Sequence, residues 1–191
     1  DREEFRADML DTIGQALARI DKVMGKLQAI PEREELHVKT FAAGPFLQDL
    51  LARIRPRLEG IRLVRDIDEG LCLTTDPEVL FKILENVVVN AAEAVDDDGV
   101  ITVTARSDGN APFFMVQDNG VGMTDDFIRN RLFKPFQTTK KKGTGLGMWQ
   151  VKNMADQIGA RIEVKGNEAR GVSVSLWLQR PAPQEPGAKT R

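Results

Sequence analysis

Four short motifs follow one another in a fixed order along this chain, and their order restricts the fold more than composition does. Asn90 lies on an apolar helical stretch, and an acidic glycine turn, Asp118 to Gly122, ends a hydrophobic strand. A phenylalanine pair, Phe133 and Phe136, comes next, and a glycine run, Gly143 to Gly147, precedes another helical stretch. Each motif alone can be explained by ordinary structure, with no functional role. Together they predict a domain of helices and strands whose glycine-shaped turns face one site.

Length and charge exclude several classes of protein. The 191 residues suit one well-buried α/β domain with an appendage. Because 27 Lys and Arg stand against 29 Asp and Glu, there is no basic field for nucleic acid, and we expect no nucleic-acid partner. The single cysteine, Cys72, lies between Leu71 and Leu73 and is predicted to be a small buried hydrophobic residue.

The sequence also indicates where the protein resides. A reducing compartment fits the cysteine content, and no long apolar run or signal peptide is present, so we expect a cytoplasmic domain. The chain starts at Asp1, part-way into a helical pattern. We therefore expect a piece of a longer protein, and the sequence leaves open whether a membrane segment upstream anchors it.

Three further segments flank the predicted domain. Apolar residues recur at two heptad positions from Phe5 to Ile30, which predicts an amphipathic helix over residues 1–30. This stripe suits either a helical hairpin in a dimeric bundle or a helix docked on its own domain, and we favour the bundle. Pro31 and a charged run predict a linker over residues 31–35. The Pro-rich residues 181–191 are predicted to be a disordered tail.

Residues 36–180 are predicted to form an α+β fold, a two-layer α/β sandwich of a hairpin-rich sheet with helices on one face. Periodicity predicts helices over residues 46–58, 76–95 and 148–158, and strands over residues 61–67, 100–105, 113–117, 161–165 and 172–178. Asp76 and Pro77 supply the cap and first turn of the central helix. Residues 122–143 exceed ordinary loop lengths, which indicates a lid.

The central helix carries polar residues on one face. Lys82, Asn86, Asn90 and Glu93 are spaced by four, four and three positions, whereas the apolar residues between them serve the core. Asparagine is unfavourable in mid-helix, and its carboxamide offers a metal-binding oxygen and a donor for phosphate. For this helix alone, a solvated polar stripe explains the pattern equally well.

The two glycine motifs predict complementary contacts. Asp118 ends a strand, so its carboxylate can accept a hydrogen bond from a base amino group while glycines let the backbone approach the ring. The run from Gly143 to Gly147 opens a helix whose free N–H groups face an anion. It lacks the third glycine of a dinucleotide site and the Gly-Lys-Ser/Thr ending of a P-loop. A mobile apolar latch with a cationic end is predicted from Phe133 to the lysines at 140–142.

These residues resemble the boxes of one family. Residues 84–94, Leu-Glu-Asn-Val-Val-Val-Asn-Ala-Ala-Glu-Ala, resemble the N box of sensor histidine kinases, and Asp118 to Gly122 resemble their G1 box. Residues 133–136 resemble the F box, and Gly143 to Gly147 the G2 box. The chain is thus similar to their ATP-binding domain, in the GHKL superfamily with gyrase, Hsp90 and MutL. The last strand lacks the Thr and Phe usual in the family.

The resemblance implies ATP and Mg²⁺ as cofactors and assigns roles to the motif residues. Asn90 would ligate Mg²⁺, and Asn86 and Lys140 would support the phosphates, so these three are the expected catalytic residues. Asp118 would read the adenine amine. The remaining cofactor-binding candidates lie in the same boxes: Glu93, Gly120, Gly122, Phe133, Thr139, Gly143, Thr144, Gly145, Leu146 and Gly147.

The resemblance also implies the reaction and its partners. Sensor histidine kinases transfer the γ-phosphoryl to a histidine on a dimeric hairpin, in the same or the partner subunit, and then to a response regulator receiver domain. The helix over residues 1–30 would be the second helix of that hairpin, in a homodimer. His37, the single histidine, lacks the family's acidic neighbour and is interpreted as a bystander.

Two alternatives remain open. An ATP-hydrolysing relative would carry a base Glu where this chain has Asn86, and Glu85 is rotated by about 100° around the helix. A non-catalytic dimerisation module would have a decayed nucleotide site, which the intact order of boxes argues against.

Overall fold

The structure, a computed structural model, describes residues 9, 35–96, 98–109, 111–140, 143–167 and 170–178. The predicted helix over residues 1–30, apart from Met9, and the predicted tail over residues 181–191 lie outside these residues. Within the described residues the helices are α1 (Ala43–Ile54), α2 (Pro77–Ala92), α3 (Asp125–Asn130) and α4 (Gly147–Gln157). The strands are β1 (Lys39–Ala42), β2 (Arg62–Ile67), β3 (Cys72–Thr75), β4 (Val100–Ser107), β5 (Pro112–Asp118), β6 (Arg161–Gly166) and β7 (Val172–Trp177).

A five-stranded sheet in the order β2-β4-β5-β7-β6 forms one layer of the fold. Only β2 and β4 pair in parallel within this sheet, because the chain crosses over through β3 and α2 between them. The other neighbours are antiparallel, and β4–β5 and β6–β7 are adjacent along the chain. A separate two-stranded sheet pairs β1 with β3.

The core lies between the large sheet and the helices. Side chains alternate across each strand, so Ile101, Val103 and Phe114 face inward and are fully buried. Helix α2 packs on β4 and β5, and α4 packs on α2 and β6. Both helices therefore lie on the same layer, which confirms the two-layer α+β sandwich.

The central helix α2 begins where the sequence predicts. The Asp76 side chain accepts hydrogen bonds from the N–H groups of Glu78 and Val79, and Pro77 occupies the first turn. Burial raises the pKa of the Asp76 carboxyl, but the N–H groups of Val79, His37 and Glu78 outweigh it and hold that pKa below its ordinary value. This cap therefore also anchors the segment before β1, through the backbone N–H of His37 at 2.7 Å.

Most predicted elements in the described residues are confirmed, with shifted ends. Helix α1 begins three residues earlier than predicted, at Ala43, and Pro56 lies in a 3-10 turn after it. Helix α2 ends at Ala92 rather than near Val95. The prediction of a buried Cys72 is wrong: the thiol is exposed, because strand alternation in β3 turns Leu71 and Leu73 inward and Cys72 outward. None of the helices in the described part of the chain has the length and hydrophobicity needed to cross a bilayer.

Candidate nucleotide site

A cleft of about 580 Å³ opens between α2, the start of α4 and the segment between them. Its lining includes most of the predicted phosphate-side residues: Asn86, Asn90, Glu93, Thr139, Lys140, Gly143, Thr144, Gly145 and Gly147. Leu146, Phe133, Asp118, Gly120 and Gly122 do not line it. The structure therefore brings together the N-box and G2-box residues in one cavity and places the G1 turn beside it.

Helix α2 presents its two asparagines to the start of α4. The Asn86 Nδ2 donates to the Lys82 carbonyl oxygen at 2.8 Å, which fixes the carboxamide and leaves Oδ1 facing outward from the helix. A Cβ on Gly147 would lie 3.6 Å from Asn86 Oδ1 and 3.5 Å from Asn90 Nδ2. The first residue of α4 therefore sits directly over both amides, and a ligand bound at this helix end would contact all three.

The glycine run gives α4 an open N-terminus. Leu146 precedes the helix, is fully buried, and provides no side-chain cap. The N–H groups of Gly147, Met148 and Trp149 thus have no intrahelical partner and no side-chain cap from Leu146, and they carry the positive end of the helix dipole. Gly145 reaches this position with a φ of +68°, which favours glycine. This geometry suits a phosphate group.

Lys140 bridges the segment before α4 to α2. Its Nζ lies 2.7 Å from Glu93 Oε2, 3.3 Å from the Asn90 carbonyl oxygen and 3.5 Å from Asn90 Oδ1. The lysine thus places a positive charge at the predicted metal ligand and is partly neutralised by Glu93. A phosphate entering the cleft would compete with Glu93 for this ammonium.

The same contacts test whether the site suits Mg²⁺. The Lys140 ammonium is a stand-in cation that rests on oxygen atoms of Asn90 and Glu93, so these residues form an oxygen-lined place for a positive charge. Within the described residues there is no cluster of three or more His, Cys, Asp or Glu able to hold a metal. The oxygen atoms of Asn90 and Glu93 are of the kind that Mg²⁺ takes, since this ion commonly has one or two protein oxygen ligands with water and substrate phosphates completing its shell.

Asp118 ends β5 as predicted and is only 7% exposed. Its Oδ1 accepts hydrogen bonds from the N–H groups of Gly120 at 2.9 Å and Val172 at 3.3 Å. None of the described residues donates to Oδ2, so this oxygen is available to a ligand. Burial raises the pKa of Asp118 above its ordinary value, and the hydrogen bonds from Gly120 and Val172 and the Lys140 ammonium oppose this only in part.

The G1 turn is fastened to the end of α2. The Val121 N–H donates to the Ala94 carbonyl oxygen at 2.9 Å. A Cβ on Gly120 would overlap that same Ala94 carbonyl, so only glycine allows this close approach. The contact fixes Asp118 relative to the helix that carries Asn90. Gly122, whose φ of +75° favours glycine, lies in the same turn.

Of the two phenylalanines in the predicted latch, only Phe133 packs against the core. Phe133 packs against the core and Leu132 is buried, whereas Phe136 is 57% exposed with a φ of +62°. Thr124 caps α3 by accepting from the Phe127 N–H. The segment from residue 124 onward is therefore tied down by Leu132 and Phe133 rather than by both phenylalanines.

Several lining residues were not predicted as site residues. They are Arg57, Glu85, Val89, Met123, Phe127, Leu132, Gln137, Thr138 and Met148. Glu85 and Val89 lie one position before each asparagine on α2, a signal that helical spacing could have given. Arg57 comes from the 3-10 turn after α1, and no local pattern connects it to the cleft.

Known proteins resemble this chain in sequence. The family model described as histidine kinase-, DNA gyrase B-, and HSP90-like ATPase matches residues 75–182. Sensor histidine kinase ZraS of Escherichia coli K12 is 39% identical over 106 residues, covering 56% of this chain and 23% of that protein. Sporulation kinase E of Bacillus subtilis is 32% identical over 158 residues, covering 82% of this chain and 21% of that protein. The chain thus spans less than a quarter of the length of these curated relatives.

Solved structures share the fold. The catalytic domain of histidine kinase ThkA aligns with a TM-score of 0.69 at 23% identity, over 75% of this chain and 95% of that one. Full-length ShkA in complex with AMPPNP aligns with a TM-score of 0.71 at 24% identity, over 88% of this chain and 37% of that one.

Proposed function

Because the chain belongs to the histidine kinase-, DNA gyrase B- and HSP90-like ATPase family, we propose that it is the ATP-binding catalytic domain of a two-component sensor histidine kinase. In this function it holds Mg²⁺-ATP and presents the γ-phosphoryl to a histidine outside the chain. The observation that carries the proposal is the meeting of Asn86, Asn90 and Lys140 with the open N-terminus of α4 in one cleft.

The cleft, the G1 turn beside it and the start of α4 divide the nucleotide between them. Asp118 accepts a hydrogen bond from the adenine amine through Oδ2, while Gly120 and Gly122 let the backbone approach the base. Asn86, Lys140 and the N–H groups of Gly145, Leu146 and Gly147 hold the phosphates, with Thr139, Gly143 and Thr144 around them. Asn90 holds Mg²⁺, and Glu93 lies beside it. When bound, the metal supplies charge neutralisation on the phosphate oxygens.

Transfer needs no covalent chemistry from this chain. Phosphoryl transfer depends on positioning and on neutralising charge, and the helix N-terminus and Lys140 supply both. His37 is exposed and does not line the cleft, which supports the proposal that the acceptor is a histidine outside this chain. The response regulator is proposed as the next acceptor, by analogy with ThkA, whose structure with the response regulator TrrA aligns with a TM-score of 0.73.

One observation favours ATP hydrolysis as a second candidate. Glu85 lines the cleft and is a carboxylate that could activate water if it reached the terminal phosphate. Against this, the position that would carry the base is occupied by Asn86, whose amide already donates to Lys82. We therefore place hydrolysis second, and Glu85→Gln is the variant that would abolish it.

Calorimetry with Mg²⁺-ADP and Mg²⁺-ATP tests the proposal. We expect binding free energies of about −5 to −8 kcal/mol, in the micromolar to sub-millimolar range. Asp118→Ala should abolish binding, and Asn90→Ala should mainly remove its dependence on Mg²⁺. Asn130→Ala is the matched control, because this exposed asparagine on α3 bonds only Asp126 among the described residues. Absence of nucleotide binding by the parent would instead support a dimerisation module with a decayed site.

A further inference from the structure

On the side of the β6–β7 connection, the end of β5, where Asp118 lies, is held by hydrogen bonds that involve side chains rather than by strand pairing. The antiparallel ladder between β5 and β7 ends at the pair Gln117 and Ser173, one residue before Asp118. Beyond that pair the Val172 N–H donates to the Asp118 carboxylate Oδ1. The Asp118 carbonyl oxygen accepts from Asn167 Nδ2 at 3.1 Å. Both the backbone and the side chain of Asp118 are thus fixed by the same connection.

Asn167 is itself held in one orientation. Its Oδ1 accepts from the Ser173 hydroxyl at 2.7 Å, and its backbone N–H donates to the Gly171 carbonyl oxygen at 3.0 Å. Because the Asp118 carbonyl can only accept, exchanging the two ends of the carboxamide would lose the hydrogen bond to Asp118, although the Ser173 hydroxyl could then accept instead of donate. Asn167 and Ser173 are both partly buried.

Gly171 allows the connection to lie against β5. Its φ is +89°, and a Cβ at this position would overlap the Asp118 carbonyl oxygen. The connection therefore approaches the end of β5 as closely as backbone atoms permit, and Asn167 adds a hydrogen bond to that contact. A change at Asn167 would remove this hydrogen bond from the Asp118 carbonyl on the β7 side, while the β4–β5 ladder would still pair Asp118 with Ile101.

We propose that Asn167, oriented by Ser173, is a positioning residue for base selectivity: it fixes the end of β5 so that the free Oδ2 of Asp118 points at the amino group of adenine. The inference rests on the proposed function, in which Asp118 recognises adenine. Asn167 does not line the cleft and acts only through Asp118. The phosphates are held by α2 and α4, so loss of Asn167 should affect recognition of the base and leave phosphate binding unchanged.

The test compares ADP with inosine diphosphate, which carries a keto oxygen where adenine has its amino group. Affinities of both nucleotides are measured by calorimetry for the parent, Asn167→Ala, Ser173→Ala, Ser173→Thr and Asp118→Ala. Ser175→Ala is the matched control, since Ser175 lies two residues along the same face of β7 and makes no hydrogen bond to another described side chain. Thermal unfolding of each variant is recorded alongside.

The parent should prefer ADP by roughly 10- to 100-fold, as expected for a hydrogen bond to a charged acceptor. Asn167→Ala and Ser173→Ala should lower this preference about three- to tenfold, mostly by weakening ADP, with inosine diphosphate little changed. Ser173→Thr retains the hydroxyl and should retain the preference, as should Ser175→Ala. If Asn167→Ala does not fold, Ser173→Ala alone decides.

Two results would overturn the inference alone: an unchanged preference in both alanine variants, or a parallel fall in both affinities, which is what a merely structural role produces. In both cases Asp118→Ala would still lose ADP binding, and the proposed function would stand. If Asp118→Ala binds ADP like the parent and keeps its preference over inosine diphosphate, the adenine assignment fails and the role of Asn167 fails with it.

Discussion

Gly145→Ala should separate the start of α4 from the segment before it and so damage phosphate binding. Gly145 has a φ of +68°, and a Cβ there would lie 2.5 Å from both the Phe136 carbonyl carbon and the Gln137 nitrogen. The left-handed backbone costs an alanine roughly 1–2 kcal/mol, and overpacking against fixed backbone adds roughly 1–3 kcal/mol. The expected loss of unfolding free energy is therefore about 2–5 kcal/mol.

Gly109→Ala is the matched control for this prediction. Gly109 has a φ of +89°, but a Cβ there meets nothing within 4 Å. The loss of unfolding free energy in Gly109→Ala should be limited to the cost of the left-handed backbone, roughly 1–2 kcal/mol, and nucleotide binding should be unchanged. Urea denaturation measures the stability of both variants, and calorimetry measures their affinity for ADP. In Gly145→Ala the displaced N-terminus of α4 should weaken ADP binding by about 1.4 kcal/mol or more, which is at least about a tenfold fall in affinity. Equal stability losses and equal ADP affinities in the two variants would refute the reasoning.

Three other outcomes follow from the structure. The stability advantage of the parent over Asp76→Asn should be fully present above pH about 4 and should be lost as the pH falls further, because the native pKa of Asp76 is lowered and the charged form is the stabilising one; urea denaturation across pH measures it, and an advantage that grows in acid would contradict it. Mg²⁺-ATP should slow tryptic cleavage at Lys140, because phosphates would hold an ammonium that now bonds Glu93; equal cleavage rates with and without ATP would remove that role. Glu93→Gln should speed cleavage at Lys140 without nucleotide while lowering stability by no more than about 1 kcal/mol, since this ion pair is partly exposed; unchanged cleavage would show that the pair does not restrain the segment.

Local signals in the sequence were strong for the large elements. Asp76 and Pro77 marked the start of α2 because capping and the fixed proline φ are properties of single residues. The spacing of Asn86 and Asn90 placed both on one helix face, and the structure brings both into the cleft.

Features that depend on distant partners were missed. The pairing of β1 with β3 joins two four-residue strands, which are too short for periodicity to reveal. Cys72 was predicted to be buried because its neighbours are apolar, whereas its direction depends on which face of β3 packs inward. Arg57 reaches the cleft from the turn after α1, and Asn167 reaches Asp118 across 49 residues of chain. Such contacts follow from the tertiary fold, and no local sequence rule contains them.

The most direct test of the proposed function is to supply the acceptor in trans. A purified helical hairpin bearing the acceptor histidine of a sensor histidine kinase is mixed with this chain and Mg²⁺-ATP, and phosphohistidine on the hairpin is measured beside released phosphate. The account predicts weak, Asp118-dependent transfer to the hairpin, because tethering and its high effective concentration are lost, with no label on His37 and little free phosphate. Sustained, Asp118-dependent phosphate release with no transfer to the hairpin would contradict the kinase assignment and place the chain among the ATP-hydrolysing members of its family.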